Sequence, residues 1–94
     1  MKTLYTLVGM RFRGTEKVVA EMKRGAHLIL RRDPNNRHDP NAVEVWYGLQ
    51  HVAFIKATEA VGLAKAMDNA GFREFAGSFT VTADRWPQVE VDSR

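Results

Sequence analysis

The sequence predicts a mainly β fold: a small OB-like, partly open β-barrel of five or six strands with one packed α-helix. Three observations carry this. Short segments alternate apolar and polar residues with period two along most of the chain. One segment, Thr58 to Met67, keeps helical spacing over several turns. Glycine, proline or asparagine stands at nearly every junction. A flat α+β sheet with one helix uses the same elements, and periodicity does not separate the two.

The first element is "LYTLVGMRFRG", read as a strand ended by Gly14. Leu4, Thr6, Val8, Met10 and Phe12 share one face and have the stronger apolar claim on the core. Arg11 and Arg13 then face away from Phe12, so a bend at Gly9 or Gly14 is needed to bring the three into one groove. "KVVAEMKRG" is a turn of helix or an irregular link closed by Gly25. "AHLILRR" is the second strand. "AVEVWYG" and "QHVAFI" form a hairpin about Gly48, with Val43, Val45 and Tyr47 on one face and Glu44 and Trp46 on the other. Thr58 is the expected N-cap of the helix. Ala60, Leu63, Ala64 and Met67 form its buried stripe, and Gly71 its C-terminal cap. "REFAGSFTVTADRW" alternates regularly until Pro87, and "QVEVD" closes the set.

Composition bounds the function. Ninety-four residues, 45% apolar, make one domain with a small core, spanning 1–94. There is no cysteine, which excludes disulfides and thiolate-held zinc. No apolar run approaches a membrane span, and the N-terminal residues are too polar for a signal-peptide core, so a soluble cytoplasmic protein is expected. The net charge of +3 is unevenly spread: residues 1–37 hold nine Lys or Arg against three acids, and the remainder holds five against eight. A basic half is a candidate nucleic-acid surface, or a set of solvated strand faces.

Chemistry is poorly provided for. No hydroxyl sits in a nucleophile motif. His27, His38 and His51 are scattered without metal-ligand spacing, and His27 and His51 read as strand residues with an exposed edge. No glycine-rich loop cradles phosphate. Asp33 and Asp39 are the one close acidic pair in their loop, too few for a metal-dependent nuclease. The expectation is a non-enzyme without metal or cofactor.

The stretch "DPNNRHDPNAVEV" holds more turn-forming residues than a turn requires. With "VGMRFRG" before it and "VAFIKATEAVGLAKAMD" after it, it resembles the HIRAN domain family over roughly residues 7–70. The resemblance implies a small OB-like barrel that reads DNA ends, taking the last nucleotides of a single strand with a free 3′-hydroxyl, beside a helicase or nuclease. The matching positions are Arg11 and Phe12, Asn36, His38 and Asp39, and Phe54. By the resemblance, aromatic groups at Phe12 and His38 pack on terminal bases and Asp39 takes the terminal hydroxyl. Arg13, Arg32, Arg37 and Lys56 join Arg11 as candidate backbone contacts. The chain departs from the family pattern in four places: His38 stands for Tyr, Arg37 for Pro, Ala53 for Gly, and Lys56-Ala57 for Pro-Arg or Lys-Lys. Asn36, Asp39 and Asn41 have a second reading, as loop braces, and Phe12 and Trp46 have one as core residues. The competing function is a protein-interaction module whose basic face docks an acidic partner.

Overall fold

The computed structural model describes residues 1–92; Ser93 and Arg94, the end of the expected domain, lie outside the described residues. Strands β1 (Lys2–Val8), β2 (His27–Arg32), β3 (Val43–Tyr47), β4 (Gln50–Ile55), β5 (Glu74–Val81) and β6 (Pro87–Asp92) are all antiparallel to their neighbours. Their order, β1-β4-β3-β2-β5-β6, returns β6 to β1, so the expected OB-like barrel is present and is fully closed rather than partly open. Closure removes the free edges that a flat sheet would expose. Two short helical turns, α1 (Met10–Arg13) and α2 (Glu16–Ala20), join β1 to β2, and the long helix α3 (Ala57–Ala70) joins β4 to β5.

The core is the barrel lumen. Leu7, Leu28, Leu30, Val43, Val45, Val52 and Val89 are fully enclosed, and Ala60, Leu63, Ala64 and Met67 of α3 pack against them. The helix stripe is the one the spacing predicts. Gly71 adopts the left-handed cap conformation. The N-cap is Lys56 rather than Thr58, and no side chain caps that end. Its place is taken by a tie to β1: Glu59 accepts the Thr6 N–H at 2.6 Å and the Thr6 hydroxyl at 3.0 Å.

The largest departure is at the start of the chain. The strand stops at Val8, because Gly9 takes φ 82° and turns the backbone into α1; Gly14, at φ 72°, ends that turn. Arg11, Phe12 and Arg13 therefore stand on one helical turn and fan out around it. The core face of β1 is also the opposite one: Leu7 is buried and Leu4 is exposed. In β3–β4 the register slips between Val45 and Trp46, leaving Val52 without an opposite residue. Tyr47, at the end of β3, is exposed, whereas Val43 and Val45 are buried. The bulged Val52 carbonyl accepts the hydroxyl of buried Thr15, which also takes the turn after α1 down onto the barrel wall.

Candidate nucleic-acid interface

A groove of about 1200 Å³ runs between α1–α2 on one side and the β5–β6 hairpin on the other. Its floor is apolar, with Val8, Met10, Val19, Met22, Phe79 and Val81 among the lining residues. Two large aromatics stand on its walls facing solvent, Phe12 (88% exposed) and Trp86 (48% exposed). Three arginines line it, Arg11, Arg24 and Arg85, against one acid, Glu16. Arg11 lies 3.9 Å from Glu16, but both are well exposed, so the pair is weak. Exposed aromatic faces interleaved with arginine suit single-stranded nucleic acid: the rings stack on any base and the guanidinium groups meet phosphate.

The hairpin that carries Trp86 is rigidly built. Thr82 donates its backbone N–H to the Trp86 carbonyl, its hydroxyl accepts the Trp86 N–H at 2.9 Å, and that hydroxyl donates to Asp84. Arg85 closes the tip with its N–H on the Thr82 carbonyl. It does so at φ 69°, among the described residues the one non-glycine with positive φ. A residue with a Cβ pays about 1–2 kcal/mol for that conformation. Arg24 is fixed across the groove, its Nη1 donating to Thr80 Oγ1 at 3.0 Å. Sequence reasoning missed Trp86, Arg85 and Arg24. The available signal was "DRWP": an aromatic and an arginine at a hairpin tip, where nothing can cover them.

The loop 33–42 is braced from within. Asn36 Oδ1 accepts the N–H groups of His38 (2.9 Å) and Asp39 (3.0 Å), and its Nδ2 donates to Asp33 at 3.1 Å. Asp39 Oδ1 accepts the Asn41 N–H at 2.9 Å. Asn36 thus spends its amide on the loop, which is the bracing role. That brace presents Arg37 and His38 to solvent and leaves Asp39 half-buried. Arg32 is spent as well. Its side chain is 6% exposed, it holds Asp68 of α3 through two bonds of 3.0 and 3.1 Å, and it donates to the Ala42 carbonyl at the loop's base.

Phe54 is half-buried beneath Gly9, where an added Cβ would lie 3.4 Å from its ring. Its ring also meets His51 edge-on at 4.7 Å. It therefore supports α1. Lys56 is exposed at the head of α3. His51 is not an exposed-edge residue: it is buried, stacked on Trp46 at 5.4 Å, with Nε2 at 3.0 Å from the Ala53 carbonyl oxygen. Trp46 is half-buried, with the Arg31 guanidinium 4.4 Å from its ring centroid and Glu44 accepting its indole N–H.

Burial is the largest influence on His51 and lowers its pKa below 6.5; Glu44 opposes it, Arg13 pushes the same way as burial, and the Ala53 carbonyl and Asp33 oppose with smaller effects. The unfolded chain protonates His51 first, so stability held above pH 6.5 falls as pH drops below it. His51→Gln is expected to flatten that slope in thermal melts; an unchanged slope would assign it to other groups. Among the described residues no cluster of His, Asp and Glu could hold a metal, and no helix is long and apolar enough to cross a membrane.

Comparison with known proteins agrees with this architecture. The family model for the HIRAN domain matches residues 2–90. The crystal structure of the HIRAN domain of human HLTF is similar at a TM-score of 0.70 and 25% identity, covering 95% of this chain and 71% of that one. A crystal structure of a protein from Lactobacillus plantarum is similar at a TM-score of 0.68 and 26% identity, covering 96% and 95%. No curated protein sequence matches. With a family match over nearly its whole length, and the barrel expected of it, the chain belongs to the HIRAN domain family of DNA-binding modules.

Proposed function

We propose that the domain holds single-stranded DNA at a free 3′-hydroxyl end, as a non-enzymatic cytoplasmic module beside a helicase or nuclease in repair or replication-fork processing. The observation that carries this reading is the groove in which exposed Phe12 and Trp86 alternate with Arg11, Arg24 and Arg85. The alternation of exposed aromatic faces with arginine matches the repeat of base and phosphate along a single strand, so the groove favours nucleic acid over an acidic protein surface.

Asp39 supplies the end selectivity. One of its oxygens is held by the Asn41 N–H, which fixes the carboxylate's direction. The other can accept a hydrogen bond from a terminal hydroxyl and repels a phosphate there. His38, exposed on the same braced turn, stacks on the last base, with Arg37 beside it.

The test is fluorescence anisotropy with one oligonucleotide ended by a 3′-hydroxyl or a 3′-phosphate. The wild type is expected to favour the hydroxyl by about tenfold or more, the value of one charge-assisted bond. Asp39→Asn keeps an oxygen for the Asn41 N–H but loses the charge, and is expected to lose that preference with little change in melting temperature. A variant that still discriminates would remove Asp39 from the end site.

A further inference from the structure

We propose that Arg24 and Arg85 are phosphate contacts that lead the strand's backbone along the β5–β6 hairpin. The inference rests on the reading of the groove as a DNA site and adds the course of the strand within it.

Two independent features single out these residues. Arg85 occupies the tip position of a three-residue hairpin where the backbone is left-handed. Glycine and asparagine fill such positions without strain, and the other left-handed residues described in this chain are all glycine. An arginine there is strained, so its side chain must do something that glycine cannot. The tip bonds from Thr82 already hold the turn through the backbone, so the arginine side chain is not needed to form it. Arg24 arrives from the other wall, in the link between α2 and β2, and is aimed by its bond to Thr80. Neither arginine forms an ion pair among the described residues, whereas Arg11, Arg31 and Arg32 each do. Both line the same groove as Phe12 and Trp86. Two cations standing by two stacking rings match the alternation of phosphate and base along a single strand. The acids nearest in sequence, Glu21 and Asp84, do not line the groove, and Asp84 is held by Thr82.

The test compares wild type, Arg85→Gly, Arg24→Gln and Arg24→Lys by anisotropy over a salt series. The probes are a 3′-hydroxyl DNA of about ten nucleotides, within the span of one OB-type site, and a dinucleotide that reaches only the end. Each of Arg85→Gly and Arg24→Gln is expected to reduce the salt slope on the longer DNA by roughly 0.7, the loss of one phosphate contact. Dinucleotide binding and the preference for hydroxyl over phosphate stay as in wild type, and Arg24→Lys keeps most of the slope. Arg85→Gly is expected to melt no lower than wild type, because it relieves the strained backbone. Unchanged slopes in both variants, with hydroxyl preference intact, would overturn the path and leave the end site standing. A wild type that binds neither probe would overturn the end site and the path together.

Discussion

Phe12→Ala is expected to cut affinity for single-stranded DNA by the value of one stacked base, about 1–3 kcal/mol, while leaving the melting temperature nearly unchanged. The two halves of that result come from the same fact. Phe12 is 88% exposed, so removing its ring uncovers little apolar surface and opens no cavity. It is held there by a turn closed at both ends by left-handed glycine, Gly9 and Gly14, with the Arg13 N–H bonded to the Gly9 carbonyl at 3.0 Å. A large apolar ring kept in water by a rigid turn is a cost to the free protein, which binding a base offsets. Trp86→Ala should act in the same direction. The double variant should be less than additive if both rings stack on the same stretch of strand. Anisotropy beside thermal melting reads both quantities. A fall in stability equal to the fall in binding would place Phe12 in the fold rather than the site.

The barrel was legible in the sequence because its signal is local. Val43 and Val45, Phe75 to Phe79, and the stripe from Ala60 to Met67 each sit at spacings that one face of a strand or helix imposes. The turn at residues 9–14 was not legible, for a physical reason. Met10 and Phe12 continue the alternation of Leu4 and Val8, and a pattern with period two does not reveal that Gly9 has left the strand. The bulge at Val52 was hidden likewise, since one unpaired residue changes neither composition nor alternation enough to be seen. The loop's residues were found by resemblance, but their bracing was not legible: Asn36 accepts two backbone N–H groups with one oxygen and Asp39 accepts one, and only the folded loop shows which residues the braces join. The groove is the least local feature. It joins residues from α1, the α2–β2 link and the β5–β6 hairpin, which come together only when the barrel closes.

Arg32 is spent on Asp68 and the Ala42 carbonyl, so its expected role is to brace the loop. Arg32→Lys is expected to cost about 2–3 kcal/mol of stability and to leave the salt slope of DNA binding unchanged. The guanidinium reaches three acceptors at once: both oxygens of Asp68 and the Ala42 carbonyl. Those bonds join α3 to the foot of the 33–42 loop, where Asp33 and Ala42 also pair through the backbone. A lysine keeps the charge but presents a single point in place of a fork, so it cannot meet all three. Charge-assisted bonds are worth about 1.5–3 kcal/mol each when buried, but Asp68 is half in water, so the total falls short of a full sum. In a domain of this size each kcal/mol moves the melting temperature by about 4–8 °C. The salt slope decides between the two roles. A phosphate contact at Arg32 would keep its charge as lysine and lose nearly all of its slope only as alanine, so Arg32→Ala is the sharper variant for that question. If Arg32 braces the loop, Arg32→Ala melts early, yet the protein still folded below its transition releases as many counterions as wild type. A slope lowered by roughly 0.7 in folded Arg32→Ala would return Arg32 to the DNA surface.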